Sequence, residues 1–292
     1  MKTCLVGYTP DNGGQEALAL ARSLAGCCGA AIVVCVVTPE VWGYPSLANV
    51  DQEYGKFLEQ HAEAALGEAR AEMGERPNVR YEWIAASSAT VGLTQAAERA
   101  KADMIVLGSA RDGAVGRLLL GGVTDELLHV APVPIAIAPR GFSAAAALSR
   151  VTVAYAGGDT GRSTALHALG LAGALKLPLR FASFAVRDRQ MFPTLGLHNP
   201  EDVVIDGWTE QAQAELKTLH DEIAVTGYPV ETDLSIGPSW DETLAALSWQ
   251  PGELLMLGSS RLGALQRVFL GSNAAKILRA SPVPAIVLPR RG

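Results

Sequence analysis

Cysteine is scarce in this chain, and its distribution argues against a disulfide scaffold. Only four cysteines occur in 292 residues, and all of them lie within the first 35. A disulfide framework would spread its cysteines along the chain, and common zinc sites space their cysteine pairs more widely. Cys4 and Cys35 fall in apolar, strand-like runs, where a reduced thiol behaves as a small core residue. The five histidines are scattered. We therefore expect neither disulfides nor a metal site.

Long apolar runs and clusters of one charge are also missing. The longest uninterrupted apolar run, Ala30–Val37, has eight residues, less than half of the roughly 20 needed to span a bilayer. The N-terminus carries a single lysine and no A-x-A site, so we expect no signal peptide. With a net charge of −6 and no run of Lys or Arg, binding to nucleic-acid phosphates is disfavoured. These observations predict a soluble, cytoplasmic protein that binds neither nucleic acid nor membrane.

The chain contains an internal repeat that covers both of its halves. At an offset of 150, 15 of the 34 positions from 107 to 140 are identical, beginning with Leu107-Gly108-Ser109 and Leu257-Gly258-Ser259. The N-terminal ends also correspond, because Val6-Gly7-Tyr8 matches Val153-Ala154-Tyr155. We predict two copies of one domain, with the boundaries 1–140 and 150–292 and a small-residue linker at 141–149.

Each half shows the same order of elements. Short apolar runs such as Ile32–Val37 and Leu179–Phe184 alternate with segments of helical periodicity, giving β-α-β-α-β-α-β-α-β. Strands that are apolar on both faces and are separated by helices are typical of a parallel sheet covered on both sides. The sequence predicts an α/β fold made of two tandem five-stranded, parallel, doubly wound (Rossmann-like) domains.

The loop that leaves the fourth strand of each half is the segment most suited to ligand binding. In doubly wound sheets, ligands bind beyond the carboxyl ends of the strands. The loops run from Gly108 to Gly122 and from Gly258 to Ser272, and each ends directly before a predicted helix. They are longer than the usual 2–6 residues of a βα loop. Exposed N–H groups at a helix start, next to residues without bulky side chains, favour a phosphate.

This pattern resembles that of the universal stress protein family over essentially the whole chain. Its nucleotide-binding members carry G-x2-G-x9-G-(S/T) after the fourth strand, and both copies here keep the distance of 13 between first and last glycine. The resemblance implies a Rossmann-like fold of the adenine-nucleotide-binding type and a ligand such as ATP, ADP or AMP, with or without Mg. It implies these binding residues: Thr9, Asp11, Gly108, Ser109, Arg111, Gly113, Gly121, Gly122, Gly258, Ser259, Arg261, Gly263, Arg267, Gly271, Ser272 and Asn273.

Several positions depart from the family pattern. Arg111 and Arg261 stand where the family has its second glycine, and only the second copy keeps the final Ser/Thr, as Ser272. The aspartate that follows the first strand in nucleotide-binding members is replaced by Thr9 in the first half, with Asp11 two residues further on. Arginines inside the loop, Arg117 among them, could donate charge-assisted hydrogen bonds to phosphates.

Motifs of dedicated catalysis are not found. The loops have no G-K-(S/T) lysine, and no G-x-S-x-G nucleophile elbow occurs. Ala156-Gly-Gly-Asp-Thr160 partly matches a pyrophosphate-gripping loop but is one residue too short, so an adenylating enzyme is a remote alternative. We expect no catalytic residues and a cytoplasmic stress-response regulator that binds an adenine nucleotide and signals through conformation or interactions. Slow ATP hydrolysis stays open. The alternative is an interaction module of the same fold without nucleotide.

Two further expectations concern assembly and the two sites. In the family resembled, last strands often pair across a two-fold axis, so Ile135–Ile137 and Ala285–Val287 are predicted to meet within one chain as a pseudo-dimer; further homodimerisation stays open. The helix after the first loop begins with Asp125 and Glu126 nearby, whereas the second has Lys276. Acidic residues at a helix start repel phosphate, so the second half is expected to bind more tightly unless these carboxylates point outward.

Overall fold

The two halves have the same series of five strands and four helices. The computed structural model describes residues 1–40, 50–110, 115–144, 146–187, 200–259 and 271–289. The elements of the first half are β1 (Thr3–Gly7), α1 (Asn12–Cys28), β2 (Ala31–Pro39), α2 (Val50–Met73), β3 (Val79–Ala86), α3 (Ala89–Ala100), β4 (Met104–Gly108), α4 (Gly122–Val130) and β5 (Ile135–Ala138).

The second half repeats this order. Its elements are β6 (Arg150–Ala154), α5 (Gly158–Leu175), β7 (Leu179–Val186), α6 (Pro200–Ala224), β8 (Val230–Gly237), α7 (Trp240–Ala245), β9 (Glu253–Gly258), α8 (Ser272–Ala280) and β10 (Ala285–Leu288). Within the described residues, no helix has the length and apolar character that crossing a membrane requires.

Local signals at the ends of α1 explain its bounds. The side chain of Asp11 accepts a hydrogen bond from the Gly14 backbone N–H and so caps the start of the helix. At the other end, Gly29 has a φ of 71° and its N–H donates to the Ala25 carbonyl. Glycine adopts this left-handed conformation without a steric cost, so the helix stops there.

The strands form one continuous ten-stranded sheet in the order β3-β2-β1-β4-β5-β10-β9-β6-β7-β8. All neighbouring strands within a half are parallel. Between the halves, β5 and β10 are antiparallel, with Ile135 opposite Val287 and Ile137 opposite Ala285. The predicted meeting of these two strands within one chain is therefore confirmed.

Helices cover both faces of the sheet, as expected of a doubly wound fold. On one face, Leu18 of α1 and Leu66 of α2 pack in a core that also contains Val6 of β1. On the other face, Leu93 of α3 and Leu127 of α4 pack with the neighbouring strand residue Leu5, which points the opposite way. The predicted α/β fold class is confirmed.

The second half departs from the first where α7 covers the sheet. This helix has six residues, whereas α3 has 12. Its N-cap is Ser239, whose Oγ accepts a hydrogen bond from the Glu242 N–H at 3.2 Å. Beyond this helix, the indole of Trp249 donates to the Leu244 carbonyl at 2.7 Å. The strands of the second half also carry a group of buried charged residues, Arg150, Arg180 and Glu253.

Candidate functional site

A pocket of about 440 Å³ opens at the carboxyl ends of the strands in the first half. The ends of β1, β2 and β4 form its floor. Helices α2 and α3 contribute walls, and the first turns of α1 and α4 close the remaining sides. The lining residues include Thr9, Asp11, Gly13, Gly14, Val37, Leu58, His61, Ala62, Ala65, Leu93, Leu107, Gly108, Ser109, Val123 and Thr124. The pocket therefore lies where ligands bind in doubly wound folds.

Glycines allow the backbone to approach closely around this pocket. A Cβ on Gly108 would clash with the carbonyl group of Gly13, and one on Gly14 would clash with the Thr9 carbonyl oxygen. The first turn of α1 therefore rests directly on the end of β4. Because side chains are absent at these positions, backbone N–H groups of the helix start lie near the ligand space.

Ser109 organises the loop after β4 rather than facing a ligand with a free hydroxyl. Its Oγ accepts a hydrogen bond from the Leu119 N–H at 2.7 Å and donates to the Leu119 carbonyl at 3.1 Å. The Ala110 N–H donates to the same carbonyl at 2.9 Å. These bonds close the loop on itself and bring Gly121, the N-cap of α4, next to the pocket.

Burial keeps two titratable groups at the pocket protonated. Burial raises the pKa of the Cys35 thiol to about 12, so it stays protonated. Burial, followed by the nearby Glu68 and Asp11 carboxylates, raises the pKa of the Tyr8 phenol. Asp11 is engaged as the α1 cap and also accepts from the Thr9 hydroxyl at 2.9 Å. The described part of the pocket thus combines apolar walls with N–H and hydroxyl groups, the Asp11 carboxylate and the His61 side chain.

Comparisons with known proteins agree with this geometry. The Universal stress protein family model matches residues 1–139 and again residues 148–289. A universal stress protein of Mycobacterium tuberculosis is 37% identical over 292 residues, which is 98% of this chain and 99% of that protein. The chain belongs to the universal stress protein family.

Other universal stress proteins match in part or at lower identity. One from Thermus aquaticus is 31% identical over 134 residues, covering 46% of this chain and 96% of that protein. The crystal structure of a universal stress protein from Archaeoglobus fulgidus has a TM-score of 0.66 at 20% identity, covering 99% of this chain and 98% of that one. That likeness supports the fold.

The structure brings part of the family's predicted site together. Thr9, Asp11, Gly108 and Ser109 line one pocket. Gly121 and Gly122 begin α4, whose next residues, Val123 and Thr124, line the same pocket. Predictions also fell on residues that lie outside the described part of the chain: Arg111, Gly113, Arg261, Gly263 and Arg267.

In the second half, the predicted residues are arranged differently. Gly258 and Ser259 line a separate cavity of about 450 Å³ beside α5, with Thr160 and Thr164. Gly271 is the N-cap of α8, and Ser272 and Asn273 are its first residues. The end of β9 thus approaches α5 along its first turns, and a Cβ on Gly258 would clash with the Thr164 hydroxyl.

Three charged groups of the first half do not face the pocket. Asp125 and Glu126 are exposed, and Glu126 Oε2 accepts a hydrogen bond from Thr90 Oγ1 of α3 at 2.6 Å. Arg117 reaches across to the second half, where its Nη1 pairs with Asp241 at 2.7 Å and donates to the Ala280 carbonyl at 3.0 Å. The carboxylates behind the expected weaker binding of the first half thus point outward, and Arg117 is engaged away from the pocket.

Sequence reasoning missed the walls contributed by α2 and α3. Helix α2 contributes His61, Ala62 and Ala65, and α3 contributes Leu93. None of these residues belongs to a recognisable sequence motif. One signal was present: α2 has alanine at both 62 and 65, on its buried face, where larger residues would fill the pocket. Among the described residues, no group of three or more His, Cys, Asp or Glu is placed to hold a metal ion.

Proposed function

We propose that this chain is a stress-response regulatory protein that binds an adenine nucleotide, such as ATP, in the pocket of its first half. The observation that supports the proposal is the pocket of about 440 Å³ with two helix starts on its rim. Its size is within the range of small-molecule sites, about 300–1,000 Å³.

The walls of the pocket suit a nucleobase and its polar rim suits phosphates. Val37, Leu93 and Leu107 provide apolar surface against which a flat base can pack. The N-cap Gly121 has no side chain that caps α4, so the first N–H groups of this helix are available to an anion. The helix dipole adds a favourable interaction with negative charge there.

The first half is favoured over the second, which reverses the order expected from helix-start charges. Val37 lines the first pocket, and the sheet register places the larger Phe184 at the equivalent position of β7. Thr9 is replaced by Ala156, which removes a hydroxyl group from the rim. At these two positions, a ligand in the second half would therefore meet a larger side chain and one hydroxyl group fewer than in the first half.

We propose a regulatory output rather than catalysis for this pocket. The Asp11 carboxylate beside the Thr9 hydroxyl also caps α1, and burial keeps the Cys35 thiol protonated. The adenylating alternative required Gly157, Gly158 and Asp159 to grip pyrophosphate. Instead, the Gly158 N–H donates to the Glu215 carboxylate at 3.2 Å. The competing candidate is an interaction module without nucleotide.

A pair of matched substitutions tests the proposal. Val123→Asp adds a carboxylate to the first turn of α4 beside the pocket, and Asn273→Asp adds one at the equivalent position of α8. Both are favourable for the helix itself, so folding should be retained. A unit charge about 4–6 Å from a phosphate near the surface costs on the order of 1 kcal/mol or more, and we expect about tenfold weaker binding for Val123→Asp alone.

Isothermal titration calorimetry with ATP, ADP and AMP, in the presence of Mg, measures this effect. Mass spectrometry of the supernatant after denaturing the purified chain reports any nucleotide that copurifies. The proposal is wrong if the wild-type chain releases no nucleotide and shows no heat with any of the three. It is also wrong in its placement of the site if Asn273→Asp weakens binding and Val123→Asp does not.

A further inference from the structure

A carboxylate from α6 occupies the loop that follows the first strand of the second half. Glu215 Oε2 accepts a hydrogen bond from the Gly158 N–H at 3.2 Å, and its Oε1 accepts one from Gln211 Nε2 at 3.1 Å. The carboxylate lies so close to Gly157 that a Cβ at that position would clash with it. The side chain is thus held against the start of α5.

The same place in the first half is open. Helices α2 and α6 correspond at an offset of 150, because Ala62, Leu66 and Met73 are buried as Ala212, Leu216 and Ile223 are. Glu215 therefore stands where the first half has Ala65, and Ala65 lines the proposed nucleotide pocket. One position thus presents a methyl group in one half and a carboxylate in the other.

The local backbone explains why a carboxylate is retained there. In the first half, Asp11 caps α1 with its own side chain. In the second, the N-cap of α5 is Gly157, which provides no side-chain cap. Gly157 and Gly158 have φ values of 74° and 59°. Such a turn before a helix start favours an anion, and Glu215 supplies that anion from within the chain.

We infer that Glu215 closes the space of the second half that corresponds to the first-half pocket, and that it is the residue that restricts nucleotide binding to the first half. The inference rests on the proposed function of the first-half pocket. A nucleotide entering the second half would have to displace the carboxylate from the Gly158 N–H. The carboxylate would also take up space that the first half leaves beside Ala65.

Reciprocal exchanges at this position test the inference on the full-length chain. Calorimetric titration with ADP and Mg should give one equivalent bound per wild-type chain. Glu215→Ala should add a second equivalent, at least tenfold weaker than the first because Phe184 still narrows the pocket. Ala65→Glu should abolish the first. The control is Glu222→Ala, which removes a carboxylate from the same helix that pairs with Arg162 instead, and it should stay at one equivalent.

The outcomes separate this inference from the proposed function. If the wild-type chain binds one equivalent and Glu215→Ala still binds one, Glu215 does not close the second pocket. If Ala65→Glu is folded by circular dichroism and binds as the wild type does, position 65 is not in the site. A wild-type chain that binds no ADP, ATP or AMP overturns the proposed function itself. Because Glu215 is only partly buried, Glu215→Ala should fold even if Ala65→Glu does not.

Discussion

The buried ionic group of the second half should make Glu253 one of the most sensitive positions of the chain. Its carboxylate is fully buried and accepts hydrogen bonds from Arg150 Nη2 at 3.0 Å and Arg180 Nη2 at 2.7 Å. The Thr152 hydroxyl and the Gln250 N–H also donate to it. Both guanidinium groups are almost entirely buried, and Glu253 is the buried counter-charge that they share, beside the more exposed Glu231 and Asp233.

Glu253→Gln removes the charge and changes the size of the side chain very little. Two buried arginines then lose their central counter-charge, and the new amide NH₂ faces donors that it cannot bond. Breaking a buried ion pair in this way costs about 3–5 kcal/mol. We expect a loss of stability in the lower part of this range, because the amide oxygen of the new glutamine still accepts a hydrogen bond and Arg150 retains its bond to Glu231.

Urea unfolding followed by circular dichroism measures this loss. The matched control is Glu231→Gln, which removes the exposed partner of Arg150 at 2.7 Å and should cost less than about 1 kcal/mol. The reasoning is refuted if Glu253→Gln lies within about 1 kcal/mol of the wild type, a loss no larger than that of a surface pair. Equal losses for the two variants would refute it as well.

The same group gives a pH dependence with a defined sign. Burial alone would raise the pKa of Glu253, but hydrogen bonds from Arg150 and Thr152 and nearby charges lower it below its ordinary value of 4.5. A carboxyl whose pKa is lower in the folded state stabilises the fold above its unfolded pKa. The stability difference between the wild type and Glu253→Gln should therefore be full above about pH 4.5 and shrink as the pH falls through the folded pKa. A difference that grew on acidification would contradict this assignment.

Two further predictions concern the first half. Burial raises the pKa of both the Cys4 and Cys35 thiols to about 12. Iodoacetamide at pH 8 should therefore label the more accessible Cys27 first, and Cys4 and Cys35 only after unfolding. Early labelling of Cys35, detected by mass spectrometry of the native protein, would contradict this prediction. Gly14→Ala should destabilise by about 1–3 kcal/mol because its Cβ has no room, whereas Gly26→Ala, in open space on the same helix, should stabilise by about 0.5–1 kcal/mol. Thermal melts that shifted both variants in one direction would refute the steric explanation.

The sequence by itself determined the repeat, the order of elements and the family. Strands such as β2 are apolar on both faces, and this property is local enough to be recognised without any tertiary contact. The pairing of β5 with β10 was expected from the resemblance to the family, in which last strands often pair, and the structure has this pairing within one chain. Gly108 and Gly121, at the two ends of the loop after β4, were also predictable, because their spacing is a property of one continuous segment of the sequence.

Only the tertiary structure revealed the pocket of the first half. Charges near the starts of α4 and α8 suggested the second half, but the side chain of Glu126 turns to Thr90 on α3, a contact between residues 36 positions apart. The walls come from α2 and α3, whose alanines and leucines look like any other core residues until the helices are docked. In the sequence, Glu215 is indistinguishable from other charged residues of an amphipathic helix. Only the packing of α6 against the β6–α5 loop brings its carboxylate within hydrogen-bond distance of the Gly158 N–H. Contacts between distant segments depend on how the helices pack, and the residue pattern of a single segment does not specify that packing.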